Sequence, residues 1–307
     1  MKALWRKIDR FWCGGIDDRV YGCIRLSFAT VALLNLVQWW GCSDELLSSA
    51  GFNSMASAAE SGPWAVLSLF AFLRDPLLIK VALVLFGAAH VLLFLGVASR
   101  ACLLVSFYWH FSYLNWAVLG TAGWDMILGN VCFVLLLSPT GRSVRPLDWL
   151  RSPGSRSQAA AGLATEREVA MSPRYGVYML RIEVFLIYWL TVVTRFPDPY
   201  WQNGDFFGYY LLSDFSWLGG PWVLEAGWLL KAATWGTQAL EVAIPLLLVF
   251  RRTWVLGFAL GTLFHLSLAV MTTNLVLFSL SMVMVYTAFI RFPVASWTGR
   301  VTPPRLS

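Results

Sequence analysis

The chain has 307 residues, 58% of them hydrophobic and only 13% charged, with a formal charge of +6. Soluble domains run at about 25% charged residues, so the composition excludes an ordinary soluble enzyme and points to an all-α, polytopic membrane protein. The basic residues argue against nucleic acid as a partner, because they cluster in short loops between apolar runs, as cytoplasmic membrane flanks do.

Residues 1–18 open with MKALWRKIDRFWCGG, which is basic and aromatic but has no apolar core. This predicts an amphipathic lead-in on the cytoplasmic face rather than a cleavable signal peptide. A spanning helix needs about 20 mainly apolar residues. Eight stretches within 19–292 read as such helices: 19–41, 77–98, 101–119, 124–140, 175–196, 228–250, 253–273 and 275–291. The segment 63–73, GPWAVLSLFAF, is too short to span and predicts an interfacial or re-entrant half-helix. The stretch 141–174 is a Ser-, Ala- and Gly-rich linker with mixed charge, dividing the chain into four spans and four. No internal repeat relates the halves, so a transporter built on inverted repeats is not supported. Residues 293–307 form a basic tail.

Charge tests the count. The N-terminal flank is basic, whereas 42–62 holds Asp44, Glu45 and Glu60 and no Lys or Arg. The linker 141–174 carries six Arg, whereas 197–222 holds Asp198, Asp205 and Asp214 and no basic residue. Arg100, the Arg251-Arg252 pair and Arg291 mark the remaining basic turns. Basic and non-basic sides alternate at every crossing, which predicts eight spans with both termini in the cytoplasm. Arg74 and Lys80 sit on the outer side and read as flanking charges of the short half-helix. Arg195 and Lys231 fall near span ends, where they can snorkel. The 17 Trp fit the same picture, since Trp and Tyr collect at membrane interfaces. The five Cys form no CxxC and read as small buried hydrophobes rather than a disulfide framework.

Four ionisable residues stand out within the apolar runs: His90, His110, Glu241 and His265. A charge at bilayer centre costs about 2.5–3.5 kcal/mol on insertion scales, so such residues face protein or a water-filled cavity. Each lies about 10–13 residues from a basic flank, or about 15–20 Å at helical rise. Equal depth predicts one common layer. Glu241 needs a partner, and a His or hydroxyl would serve structurally. His90 and His110 read first as packing residues; at equal depth they could also ligate one haem iron axially. Zinc is disfavoured, since no ligand pair has i, i+4 spacing. Asp125, at a helix start, reads as a cap that meets the helix dipole. The loop 197–222, PDPYWQNGDFFGYYLLSDFSWLGGPW, is either an interfacial aromatic belt or a cover over a cavity for a lipid-soluble ligand. No P-loop, HExxH or GxSxG is present.

Five segments, in order, resemble the HTTM family, the bacterial membrane proteins related to the vitamin K-dependent gamma-carboxylase. DDRVYGCIRLSFATVALLNLV looks like the family's first span, and SYLNWAVLGTAGWDMILGN like its third-to-fourth span turn. LIYWLTVVTRFPDPYWQNGDFFGYYL resembles the stretch with the carboxylase's base lysine, ALEVAIPLLLVFRR its Glu-to-Pro span, and FHLSLAVMTTNLVLFSLSMVMVY its last pair. The resemblance covers most of 15–292 and implies a helix bundle with an interior cavity. In the carboxylases a deprotonated vitamin K hydroquinone drives proton abstraction from peptide Glu, and carbon dioxide then adds.

The departures matter as much as the matches. Thr194-Arg195 stands where the resemblance implies a catalytic lysine, and Arg stays protonated at any accessible pH. Asp125-Met126-Ile127 stands where it implies a His, and the large peptide-binding domain is missing from the sequence. His265 alone matches. Carboxylase activity is therefore not expected. Two classes remain. The favoured one is a non-carboxylating binding or accessory subunit that meets lipid and membrane-protein partners. The other is a membrane oxidoreductase acting on a quinone-like, lipid-soluble substrate, with Glu241 and His265 handling protons and Arg195 contacting an anion or oxygen. Convergence of these three residues on one pocket would favour the second.

Overall fold

The computed structural model describes residues 2–48, 51–52, 62–151 and 170–292. In chain order the longer helices are α1 (Lys2–Cys13), α2 (Arg19–Leu46), α3 (Pro76–Leu95), α4 (Ser99–Trp116), α5 (Gly123–Leu137), α6 (Tyr175–Arg195), α7 (Gly227–Val249), α8 (Trp254–Met271) and α9 (Val276–Tyr286). The chain is mostly helical, and α2, α3, α6, α7 and α8 are long and apolar enough to cross a membrane. The protein is membrane-embedded. Helices α2 to α9 stand at the eight apolar stretches of the sequence. Ser106, His110, Ser112 and Asn115 make α4 less apolar, and α5 and α9 are shorter.

Helix α2 is the most buried of the five long apolar helices and packs against α3, α5 and α9. Tyr21, Ile24 and Phe28 on its inward face meet Leu128, Val131, Val177 and Leu180 in the main apolar core. A second cluster, around Trp39, Phe70, Trp109 and Trp116, lies toward the other end of α2. Two further layers of contact, α6 on α7 and α7 on α8, build the side of the bundle that holds the site.

Local sequence explains the helix ends. Asp75 caps α3 by accepting from the Leu78 N–H at 3.0 Å, with Pro76 at the first helical position. Gly96, at φ 77°, ends α3 in the left-handed conformation that glycine tolerates best. There the fully buried Arg25 donates to the Leu93 carbonyl at 3.2 Å, to Ser99 Oγ at 3.3 Å and to the Val144 carbonyl. One arginine of α2 thus adds a donor to the last turn of α3 and ties it to the start of α4 and to the 141–145 loop.

The same end of the bundle is tied by Asp18 and a short antiparallel pair, β1 (Gly15–Asp17) with β2 (Met171–Pro173). The Asp18 carboxylate accepts from Ser143 N at 2.9 Å, Ser143 Oγ at 2.8 Å and Ser172 Oγ at 2.7 Å. Asp18 is 6% exposed, so removing the carboxylate strands three donors away from bulk water. Asp18→Ala is expected to cost about 2 kcal/mol, read as a lower thermal unfolding midpoint in detergent with the spectrum of a helical protein retained.

Two sequence expectations need correction. The first expected span, α2, does not end at 41 but runs to Leu46, about 42 Å at helical rise. It outlasts the hydrocarbon, so Asp44 emerges to pair with Lys80 Nζ at 2.8 Å. The segment 63–73 is not one half-helix. A 3-10 turn, Pro63–Leu67, and a single turn, Leu69–Phe72, are broken at Ser68, which is extended. Ser68 Oγ donates to the Ser112 carbonyl at 2.9 Å, and Leu69 N–H donates to Ser112 Oγ at 3.1 Å. These bonds to α4 compete with continued helix. The amphipathic lead-in is helical, with Leu4, Trp5, Ile8 and Phe11 exposed. Most of the linker 141–174, much of the loop 42–62 and the tail 293–307 lie outside the described residues.

Candidate functional site

Four helices each turn a stripe of one face toward a common space. On α6 the stripe is Tyr188, Thr191 and Arg195, at i, i+3 and i+7; on α7 it is Thr237 and Glu241, at i and i+4; on α8 it is His265, Leu268 and Thr272. Residues three, four and seven apart share a helix face. Phe278 and Met282 of α9 complete the wall. Together they enclose a cavity of about 540 Å³, within the range of sites for drug-sized molecules. Glu241, His265 and Arg195 therefore converge on one pocket.

Arg195, the last residue of α6, sends one guanidinium nitrogen to both Glu241 oxygens, at 2.8 and 3.1 Å. The carboxylate is 8% exposed and the guanidinium side chain 32%. Arg195 is thus not merely snorkelling toward the interface. Its guanidinium also lies 4.2 Å from the centre of the Trp201 ring, a cation–π contact. Trp201 stacks on Phe206 at 4.1 Å, and Phe206 stacks on Tyr210 at 5.7 Å. A ladder of planar groups runs from the ion pair along the cavity wall.

His265 is buried and shares a hydrogen bond of 2.8 Å between its Nε2 and the Tyr188 hydroxyl, which is bonded in turn to the Tyr286 hydroxyl. Its Nδ1 is buried without a protein partner. The ring has two tautomers. If Tyr188 donates to Nε2, Nδ1 carries a proton and can donate to a ligand oxygen. If Nε2 donates to Tyr188, Nδ1 is a base. The tyrosine pair lets one ring serve either role.

Gly261 allows α9 to approach α8 here: a Cβ at this position would lie 2.7 Å from the Tyr286 ring. Gly261→Ala is expected to push that ring away from Tyr188, at about 1–3 kcal/mol of overpacking. A lowered unfolding midpoint, absent in the Gly236→Ala control where a Cβ meets open space, would check it.

Residues 201–211 of the segment 197–222 border the cavity, and the segment is held from several sides. Thr234 Oγ1 donates to the Gly204 carbonyl at 3.1 Å and accepts from Phe207 N–H at 3.2 Å. Gln238 donates to the Trp201 carbonyl at 3.3 Å and Trp235 to the Gln202 carbonyl at 3.1 Å. Gly204, at φ 77°, makes the turn between Pro199–Gln202 and Phe206–Leu211. Across the cavity, Tyr210 Oη donates to Asn274 Oδ1 at 3.0 Å, Trp217 N–H to the Met271 carbonyl and Thr273 N–H to the Phe215 carbonyl. Burial pushes the Tyr210 hydroxyl above its ordinary range, with Thr272 pulling it back.

Comparison with protein families, with curated proteins and with solved structures finds no match. The geometry of the chain itself therefore carries the functional argument.

His90 and His110 do not line the cavity. They are fully buried and meet each other, ring centres 6.3 Å apart, with Phe28 against both. His90 spends Nδ1 on the Phe86 carbonyl at 2.7 Å and Nε2 on Ser106 Oγ at 2.8 Å. No nitrogen of His90 is left for an iron, so bis-His haem ligation does not fit these residues. His110 Nδ1 bonds to Tyr113 Oη at 2.8 Å. Among the described residues no three His, Cys, Asp or Glu gather as a metal set.

Asp125 does cap, but with more partners than a cap needs. It accepts from Ala122 N–H at 2.8 Å and from Asn35 Nδ2 of α2 at 2.8 Å. This fixes the start of α5, where Ala122, Gly123 and Trp124 border the cavity.

Sequence reasoning missed Tyr188, Tyr286, Trp201 and Thr237. For Tyr188 and Thr237 the signal was the spacing: on α6 and α7 the lining side chains repeat polar groups every three or four residues through an otherwise apolar run.

Proposed function

We propose that this chain is an HTTM-like, non-carboxylating membrane protein that binds a flat, lipid-soluble, quinone-like molecule in the cavity beneath 197–222. The observation that carries this reading is the convergence of Arg195, Glu241 and His265 on one aromatic-walled space. The stacked Trp201, Phe206 and Tyr210 offer planar faces, and the polar groups lie at helical positions that a ring oxygen can meet. His265 Nδ1, without a protein partner, is the atom we assign to that oxygen. In the base tautomer it takes the proton of a quinol hydroxyl; in the other it donates to a quinone carbonyl. The ion pair keeps Arg195 oriented as a cationic wall, and Arg195 cannot replace the carboxylase's lysine as a base.

On this reading α2 to α9 all cross, both termini lie in the cytoplasm and the membrane is the bacterial inner membrane. The alternating basic and acidic loops support that orientation. A second reading, an accessory subunit docking with membrane partners, has its own support in the exposed rim of Trp217, Leu224 and Trp228. The two readings differ in whether a molecule held in the cavity or a protein docked on the rim carries the function.

The test is calorimetric titration of the purified full chain in detergent with a short-chain ubiquinone and a naphthoquinone. Saturable binding at micromolar concentration, weakened by Trp201→Ala, is expected. A folded protein with no saturable binding of either ring up to millimolar concentration defeats the proposal.

A further inference from the structure

Away from the cavity, one polar pair stands where the lipid would be. Glu183 lies eight residues into α6, about 12 Å from its start at helical rise. Asn130 lies at the middle of α5, seven residues from either end. Asn130 Nδ2 donates to Glu183 Oε1 at 3.0 Å. Asn130 is exposed and Glu183 half-buried, while Met126 and Phe133 on α5 and Ile182 and Leu186 on α6 surround them as exposed apolar residues. Neither lines the cavity.

The carboxyl has no cation beside it. Arg181, two residues earlier, donates to the Ala288 carbonyl at 2.9 Å and lies over the Tyr178 and Phe289 rings. Among the described residues Glu183 Oε2, Asn130 Oδ1 and the second amide N–H have no protein partner. Inside hydrocarbon these groups lose water and gain nothing in return, so polar residues at this depth face other protein. A lipid headgroup does not reach mid-bilayer, and among the described residues no other element covers the pair.

We propose that the α5–α6 face is the interface of a homodimer centred on Glu183 and Asn130. The pair is self-complementary, which is what a two-fold interface requires. An axis along the membrane normal beside this face sets each Asn130 amide against the second copy's Glu183 oxygen, and the reciprocal contact follows by symmetry. Carboxyl and amide side chains are known glue between membrane helices for this reason. Met126, Phe133, Ile182 and Leu186 then pack around the bonds. The interface is separate from the cavity, so it stands whether or not the ligand assignment does.

Counting subunits by single-molecule photobleaching, with the full chain in phosphatidylethanolamine–phosphatidylglycerol liposomes and no quinone added, tests this over a range of protein densities. The wild type should pass from monomer to dimer as density rises. Glu183→Leu and Asn130→Leu should each weaken the dimer about tenfold, whereas Glu183→Gln, which keeps a hydrogen-bonding side chain, should change it less than about threefold. Unchanged thermal unfolding midpoints exclude loss of fold as the cause. If Glu183→Leu does not fold, Asn130→Ala carries the same test. A wild type that stays monomeric at every density overturns the proposal, as does a dimer indifferent to both positions. A monomer that pairs only with a different protein overturns it equally.

Discussion

Arg195→Leu is expected to destabilise the protein by about 3–5 kcal/mol, and adding Glu241→Leu should recover most of that loss. The reason lies in the unequal burial of the two partners. The Glu241 side chain is 8% exposed and accepts from Arg195 at 2.8 and 3.1 Å. No other donor to its oxygens lies among the described residues, so removing Arg195 leaves a carboxylate in an apolar wall. The single change Glu241→Leu should cost less, about 2 kcal/mol after discounting for solvent, because Arg195 is 32% exposed and keeps its stack on Trp201. The double variant removes both charges, and replacing a buried pair by apolar residues is often near neutral. Chemical or thermal unfolding of the four proteins forms a double-mutant cycle. Additive losses would mean that the pair is not a coupled unit. Recovery in the double variant without recovery of quinone binding would separate the pair's role in stability from its role toward a ligand.

The sequence makes the cost of a residue legible more readily than its direction. Glu241 and His265 stand out in apolar runs because charge and polarity are expensive there, and the structure places both on the cavity wall. His90 and His110 carry the same signal, and their depth was read from the same arithmetic, yet they form an enclosed cluster against Phe28. Depth follows from counting residues along a helix axis. Azimuth follows from which neighbours pack on which face, and an apolar run facing lipid looks like one facing protein. Tyr188 illustrates the limit from the other side. Tyrosine in a membrane helix reads as packing or as interface belt, so its hydroxyl attracts no notice until His265 is found 2.8 Å away.

Some of the missing information was present as a pattern. Tyr188, Thr191 and Arg195 repeat at helical spacing, as do Thr237 and Glu241. A stripe of hydroxyls leading to a charge marks a face that is not lipid-facing. Glu183 escaped notice for the opposite reason: it lies between Ile182 and Val184 with no polar stripe of its own, and it belongs to the outer surface. The cover was legible only as two alternatives, since the same Tyr, Trp and Phe content suits a belt or a roof. What fixes its place beside the cavity is long-range bonding such as Thr234 to Gly204 and Tyr210 to Asn274, which no local composition encodes.

A ring stripped of its oxygens should bind the cavity about 100-fold more weakly than the matching quinone, and His265→Leu should shrink that ratio to about tenfold or less. Naphthoquinone and naphthalene make the comparison at nearly constant shape. Both rings gain the same stacking on Trp201 and Phe206 and release the same water from the apolar walls. They differ in what they leave behind. On the proposed assignment the quinone oxygen meets His265 Nδ1, which is buried without a protein partner. The hydrocarbon leaves that nitrogen stranded in a dry site and offers nothing to the guanidinium edge. An unmet buried polar group costs about 1–3 kcal/mol, and a cost near the upper end accounts for the expected ratio. In His265→Leu the stranded nitrogen is gone, so naphthalene should gain affinity in absolute terms while naphthoquinone loses it. That crossing is the informative result, because a variant that merely damages the cavity weakens both rings together. Tyr188→Phe refines the point: it removes the hydroxyl that holds His265 Nε2 without removing the imidazole, so the ratio should fall only partway. Competition calorimetry on the three proteins reads all of these. Equal affinity of the two rings for the wild type would mean that the polar end of the cavity does not face the ligand, and the quinone-like assignment would fall with it.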